Sequence, residues 1–453
     1  MKLNDEYKVM IESFDMNGLG VCHLDNKVVF VENAMEGEEA IIKITSIHSK
    51  YVFSKAIEIL KKSPHRILDL EETNKLSGEA DLIHVDYETE LKIKENKVKT
   101  TIKTDSNYKI NPIIKSDNPY NYRNKVMVPF GEIKEDDERE VVYGFYAKKS
   151  HNIIPIENDI LTNETSSQIL YLIQRYLMLF NVSIYDEIKQ KGIFREVMIR
   201  NTINNDFMVV LVTTVNHDFQ RLVEMLTSEF KEIKSIYLNI NSKNTNVVLS
   251  DDFRLLYGSP TIKENILGLD FEVYPASFMQ VNHNQCEKLY EEAFRMADLK
   301  KDMNVIDAYC GMGSITLNIA KNVKHVYGIE IVPDAIKNAN NNKIINNISN
   351  ATFICGACED EIKKLVNKEK IDLIFFDPPR KGCAKEFLDT VISMKIPKII
   401  YISCGISTAA RDIKILEENG YELKEITPCD LFSKTSHCET VCCLVKTDKS
   451  LRK

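Results

Sequence analysis

The strongest constraint on the fold is a repeat of strand, loop and helix that runs through the last third of the chain. Apolar, β-prone runs at residues 304–309, 325–330, 352–356, 371–377 and 398–403 are separated by helical stretches, which is the pattern of a doubly wound parallel sheet. Two further β-like runs, 421–427 and 438–446, are only about ten residues apart. That gap is too short for a crossover helix, so the last strand is expected to return antiparallel. No internal repeat is visible.

Upstream the pattern changes. The first 60 residues alternate apolar and polar positions in short bursts broken by Asn17-Gly18 and Glu36-Gly37, which predicts a small β-barrel. Residues 61–275 mix β-like runs with helix-like stretches at 167–181 and 218–231, an α+β segment. The expected division is therefore 1–60, 61–275 and 276–453. A length of 453 residues accommodates it, and 44% hydrophobic content argues against disorder.

The longest apolar runs, such as 371–376, fall far short of the ~18 residues that span a bilayer. The opening Met1-Lys2-Leu3-Asn4-Asp5-Glu6 has no apolar signal core, so a cytoplasmic protein without a membrane partner is expected. Eleven cysteines, nine of them between Cys310 and Cys443, lack the regular spacing of a secreted disulfide framework. The net charge of −8 weighs mildly against a nucleic-acid partner, but a total averages over surfaces that a ligand never meets.

Three strand ends converge on a nucleoside cofactor. Asp307-Ala308-Tyr309-Cys310-Gly311-Met312-Gly313 follows an apolar strand and opens a helical run at 315–320; glycines there allow close backbone approach and leave amides free. Glu330 ends the next strand, where a carboxylate accepts from ribose hydroxyls. Asp377-Pro378-Pro379 ends the fourth. Each alone is better read as a turn or a solvated strand end. Together with an antiparallel last strand, they favour S-adenosylmethionine over a dinucleotide.

Cys404 follows the fifth strand and precedes a helical run, a position where the helix N-terminus is expected to favour the thiolate. Glu439 opens the antiparallel strand, on the same edge. A thiolate, a carboxylate and a methyl donor suggest methylation of a pyrimidine at carbon 5, an atom too weakly nucleophilic to take the methyl group unaided. Addition of Cys404 at carbon 6 generates enolate character at carbon 5, and Glu439 then removes the carbon-5 proton. Cys355-Gly356-Ala357-Cys358 competes as a redox or metal half-site, although no second pair matches it. Cys442-Cys443 lies mid-strand and reads as core.

These motifs, with Ser277-Phe278-Met279-Gln280-Val281-Asn282, Asp377-Pro378-Pro379-Arg380-Lys381-Gly382, Ile402-Ser403-Cys404-Gly405 and Ser436-His437-Cys438-Glu439-Thr440-Val441, resemble the RNA uracil-5-methyltransferases, particularly the class acting on 23S ribosomal RNA. Residues 27–38 resemble a TRAM domain, an RNA-binding barrel. Tyr122-Arg123-Asn124-Lys125 and Gly144-Phe145-Tyr146 with Ser150-His151 are similar to the central domain, so the resemblance spans the chain. It implies that Gln280, Tyr309, Glu330 and Asp377 contact S-adenosylmethionine, that Cys404 is the nucleophile and that Glu439 accepts the proton. It also implies action on ribosomal RNA, and a monomer is expected. A transfer-RNA enzyme and a non-catalytic TRAM-containing RNA-binding protein are the alternatives.

One departure is informative. Many relatives bind a 4Fe–4S cluster through a Cys-x5-Cys-Gly-Gly-Cys run before His-x-Asp-Tyr. Here His84-Val85-Asp86-Tyr87 is present, but Glu71, Ser77 and Ala80 stand at the run's ligand positions and Asp159 at the fourth. No iron–sulfur cluster is expected, and no other metal. RNA contact is assigned to residues 91–125, where nine Lys or Arg face three Asp or Glu, with Tyr108, Tyr120 and Tyr122 among them. A solvated helix face is the alternative for residues 92–103.

Overall fold

The computed structural model describes residues 1–76, 80–135, 138–146, 153–156, 159–244 and 247–447. These fall into two compact units, one made of Met1–Pro119, Glu291–Asp298 and Ile362–Lys453, the other of Tyr120–Tyr290 and Leu299–Glu361.

The first unit begins with six strands in the order Glu6–Met10, Glu39–Ile47, Tyr51–Lys61, Lys27–Glu32, Gly20–Leu24, Ser13–Phe14. All neighbours are antiparallel except Lys27–Glu32 beside Tyr51–Lys61. Alternation along the strands sends Val29, Val31, Ile42, Ile44 and Val52 inward, each fully buried, into a core shared with Val9, Ile11 and Cys22. Backbone bonds from Ile11 to Glu38 and from Glu12 to Val21 draw the first strand toward both flanks of the sheet, giving the barrel that the turn signals predict.

The same unit carries the helix Tyr87–Thr101, capped by the Asp86 side chain, which accepts from Thr89 N. It also carries the strands Leu373–Phe376, Lys398–Ser403, Glu439–Lys446 and Tyr421–Cys429 side by side, with helices Lys385–Ser393 and Ile406–Glu418. Leu373–Phe376 and Lys398–Ser403 are parallel, whereas Glu439–Lys446 is antiparallel to both of its neighbours, the return expected from the ten-residue gap. A short strand, Lys109–Ile110, adds parallel to Tyr421–Cys429; two residues of polar-flanked chain give no sequence pattern by which to foresee it.

In the second unit, seven strands stand in the order Ile153–Pro155, Glu138–Tyr146, Lys125–Glu135, Phe194–Asn201, Phe207–Thr213, Ile233–Ile240, Phe253–Gly258. Helices Glu164–Leu179 and Gln220–Glu229 supply Ile169, Ile173, Leu222 and Leu226 to the apolar core on this sheet. Both helices fall within two to three residues of the predicted stretches. Beyond it, Ala351–Cys355, His325–Glu330 and Asn304–Ala308 lie parallel in that order, joined through helices Ser314–Ala320 and Pro333–Ile345.

Candidate active site

The strand Leu373–Phe376 ends just before Asp377, and Pro378 and Pro379, which cannot donate to a ladder, keep it from continuing. Its parallel partner ends at Ser403, with Phe376 opposite Tyr401, so Asp377 and Cys404 leave the sheet on one edge. Glu439 opens the next strand, whose Thr440 is opposite Ser403. Register alone therefore gathers Asp377, Cys404 and Glu439.

Their electrostatics follow from that crowding. Burial, then the charges of Glu439 and Asp377, push the Cys404 thiol up to about 11, against a smaller opposing pull from Arg380. Burial lifts Asp377 to about 7, and burial with the like charge of Asp377 holds Glu439 well above the ordinary carboxylate range. Glu439 is 2% exposed and its Oε2 has no hydrogen-bond partner among the described residues. The crowding thus opposes ionisation of all three groups and favours the thiol form of Cys404. The helix Ile406–Glu418 does begin two residues after Cys404, where its dipole favours the thiolate, while burial first and the two acids second act in the opposite direction.

The raised Asp377 has a thermodynamic consequence. Its folded pKa lies above the unfolded value near 3.9, so folding binds extra protons between about pH 4 and 7, and stability falls across that window as pH rises. Asp377→Asn is expected to raise the melting temperature more at pH 8, where the penalty is complete, than at pH 5. Equal shifts at both pH values would contradict it.

A lattice of buried polar groups fixes the loops that deliver these residues. Asp412, fully buried, accepts from Tyr401 OH and Cys383 N at 2.9 Å each, while Arg411 donates to the Lys381 and Cys383 carbonyls. This pins the turn after Asp377, in which Gly382 has φ +75° and a Cβ would sit 2.7–2.9 Å from Arg411, Asp412 and Thr408 atoms. Upstream of Glu439, Lys94 is fully buried and donates to Glu90, Asp430 and the Phe432 carbonyl. Tyr87 OH and Ser433 Oγ also donate to Asp430, at 2.7 and 2.6 Å. Lys434, 1% exposed, donates to Val85 O, and its own amide donates to Glu90. Ser436 is held from both sides, its amide by Asp81 at 2.8 Å and its carbonyl by Lys97 at 2.9 Å.

None of Lys94, Asp430, Lys434, Asp81 or Asp412 is distinguishable in sequence from a surface charge. The helix Tyr87–Thr101 also alters the reading of the basic stretch. Lys94 and Lys97 are engaged as described, Lys99 pairs with Glu95, Lys115 with Glu88, and Tyr108 OH donates to Ile102 O. Much of its charge therefore serves the fold.

In the second unit, Gly311 N donates to Glu330 Oε2 at 3.3 Å and Val332 N to Oε1 at 3.0 Å, which fixes the carboxylate at its strand end beside the glycine turn. Tyr309 adopts φ +64°, a strained conformation for a large residue. Gly313 has φ +87°, and a Cβ there would meet the Phe353 ring at 2.7 Å. The helix Pro333–Ile345 braces two segments at once: Asn338 Nδ2 donates to Ser277 Oγ and Asn342 Nδ2 to Met312 O. Ser277 O also accepts from the buried Arg200, and Gln280 O accepts from Asn124. Gln280 is thereby held in the same unit as Tyr309 and Glu330. Open backbone at a strained glycine turn with a fixed carboxylate nearby suits a nucleoside cofactor.

The remaining cysteines separate by environment. Cys358 is buried with its thiol toward Ile329 O, while Cys355 is exposed toward Ile331 O. Cys442 and Cys443 are buried in their strand. At the positions where relatives hold a cluster, Glu71 is exposed, Ala80 is buried, and Asp159 accepts from Leu161 N and Thr162 Oγ1. Ser77 and the Ser150-His151 element lie outside the described residues. No thiolate is available at any of the four positions, so these residues do not fit an iron–sulfur cluster. Iron and acid-labile sulfide are expected far below one equivalent per purified chain, and stoichiometric iron would overturn this.

Comparison with known proteins extends over the whole chain. The family described as tRNA (Uracil-5-)-methyltransferase matches residues 86–447, and the TRAM domain family matches residues 2–57. An uncharacterized RNA methyltransferase of Clostridium acetobutylicum is 38% identical over 99% of both chains. Another from Streptococcus agalactiae is 38% identical over 98% of this chain and 99% of its own. The crystal structure of the Pyrococcus abyssi tRNA (uracil-54, C5)-methyltransferase, solved with S-adenosyl-L-homocysteine, superposes with a TM-score of 0.77 at 24% identity, covering 97% of this chain and all of that one. The fold is thus the mixed α/β methyltransferase architecture, and no described helix is long and apolar enough to cross a membrane. With four-fifths of its length matched by one family and its N-terminal barrel by another, the chain belongs to the tRNA (uracil-5-)-methyltransferase family and carries an N-terminal TRAM domain.

Proposed function

We propose that the chain methylates carbon 5 of a uridine in 23S ribosomal RNA through a covalent Cys404 adduct, and that it works in the cytoplasm as a monomer. The observation that carries the mechanism is the grouping of Cys404 with the carboxyls of Asp377 and Glu439 on one sheet edge, Glu439 having a buried oxygen with no hydrogen-bond partner among the described residues. S-adenosylmethionine, when bound, supplies the methyl group, and Gln280, Tyr309, Glu330 and Asp377 are the residues assigned to hold it.

Because Cys404 rests as a thiol, its proton must leave as Sγ bonds to carbon 6 and pass on to solvent, so that Glu439 is a free carboxylate when the carbon-5 proton has to be removed. Bond formation at carbon 6 shifts the ring electrons to carbon 5, which takes the methyl group. Glu439 then removes the carbon-5 proton, the Sγ–carbon 6 bond breaks, the double bond is restored and Cys404 is released. The proton gained by Glu439 must be lost before the next turn, so kcat is expected to rise with pH above 7. Residues 61–275 are proposed to contact RNA, and the target uridine must be unstacked for Sγ to reach carbon 6.

Transfer RNA is a second reading. The Pyrococcus enzyme, named for tRNA uracil-54, aligns along its full length, so an N-terminal barrel is compatible with that substrate too. Mapping 5-methyluridine in ribosomal and transfer RNA from a strain lacking the gene separates them. Loss from 23S ribosomal RNA is expected, and loss confined to transfer RNA would reject the ribosomal assignment.

A further inference from the structure

We propose that Arg380 is a further catalytic residue, donating to O4 of the target uracil as Cys404 adds at carbon 6. The assignment rests on the covalent reading above and adds a group to it. When the Sγ–carbon 6 bond forms, the carbon 5–carbon 6 π pair moves toward carbon 4 and the carbonyl pair moves onto O4. That charge returns through the ring to carbon 5 as the methyl group arrives. A developing oxyanion is stabilised by a donor already held in place. The acids on this sheet edge, Asp377 and Glu439, cannot serve as carboxylates, because they would repel it.

The turn that carries Arg380 is rigid and sits against the nucleophile. Gly382 N donates to Pro379 O at 2.8 Å, which closes a four-residue turn with Arg380 and Lys381 at its tip. Arg411 donates to the Lys381 and Cys383 carbonyls, and Asp412 accepts from Cys383 N. A Cβ on Gly405, the residue after Cys404, would lie 3.3 Å from Arg380 O. The backbone is therefore fixed beside the Cys404 loop, while the Arg380 side chain is exposed.

Its charge is felt across the site. Burial raises Cys404 and Glu439 and lowers His437; the Arg380 charge opposes the first two shifts and adds to the third. It does so through space, with no hydrogen bond to any of the three among the described residues. The other cations that act on His437 are committed elsewhere, Lys94 to Glu90, Asp430 and Phe432 O, and Lys97 to Ser436 O. Arg380 thus combines a held backbone, a charge that reaches the nucleophile and a planar set of donors suited to an oxygen acceptor.

The test follows adduct formation in a single turnover, with full-length chain, S-adenosylmethionine and saturating substrate RNA carrying 5-fluorouridine at the target. Arg380→Ala is expected to form the denaturant-stable adduct roughly 10²–10³-fold more slowly than wild type, with unchanged RNA affinity and melting temperature. Arg380→Lys should fall between the two, and added ethylguanidinium should speed Arg380→Ala but not wild type. The deficit should persist as pH rises, because a residue that only lowered the Cys404 thiol would be replaced by alkali. An undiminished rate in Arg380→Ala, a loss confined to RNA affinity, or a gap that closes at high pH would each overturn the assignment while leaving the covalent reading intact. A wild type that forms no adduct at Cys404 would instead refute the covalent reading and this assignment with it.

Discussion

Glu439→Gln is expected to halt the reaction after methyl transfer and leave the chain joined to its RNA. Glutamine keeps the shape of the side chain and its buried position but accepts no proton, so the methylated ring cannot shed its carbon-5 proton and Cys404 cannot leave. Turnover should fall by roughly 10²–10⁴-fold, the usual scale for a general base. Protein–RNA adduct should accumulate with ordinary uridine RNA, visible as a denaturant-stable band. Removing the charge also relieves Cys404, since Glu439 is the largest charged cause of its raised pKa. The adduct should therefore form at least as fast as in wild type during the first turnover. A variant that loses turnover without accumulating adduct would place Glu439 before the methyl transfer.

The second large effect is expected far from the nucleophile in sequence. Lys94→Met removes the cation that Glu90 and Asp430 share, with all three side chains fully buried. Breaking one partner out of a buried ion network leaves an uncompensated charge and costs about 3–5 kcal/mol. The lost bond to Phe432 O frees the loop that leads to Glu439. Chemical denaturation should show the lower stability, and single-turnover assays below the melting range should show slow release of the adduct more than slow formation. Combining Lys94→Met with Asp430→Asn removes the stranded charge while Glu90 keeps Lys434, 3.5 Å away, as its counter-ion, and should recover much of the stability. Recovery absent from the double variant would mean that packing, not charge, dominates there.

Much of the candidate edge was readable because its logic is topological. Once residues 371–377 and 398–403 are parallel strands and 438–446 must return, Asp377, Cys404 and Glu439 fall on one edge whatever the side chains do. The hidden part depends on long-range pairing. Lys94 looks like one more lysine in Lys92-Ile93-Lys94-Glu95-Asn96-Lys97, and its partner Asp430 lies 336 residues away. The surroundings of Cys404 were half hidden for the same reason. Helix position is a local signal that favours the thiolate, whereas burial and two acids from other strands, which push the thiol up, are not local at all.

The central claim is that Cys404 bonds to the target uridine. The most direct measurement uses RNA carrying 5-fluorouridine at the target with S-adenosylmethionine present, because fluorine at carbon 5 leaves no proton for Glu439 to remove. Intact mass followed by peptide mapping should find one RNA per chain, already methylated, attached at Cys404, and nothing attached in Cys404→Ala. An adduct on another cysteine, or none under conditions where ordinary RNA is methylated, would contradict the account.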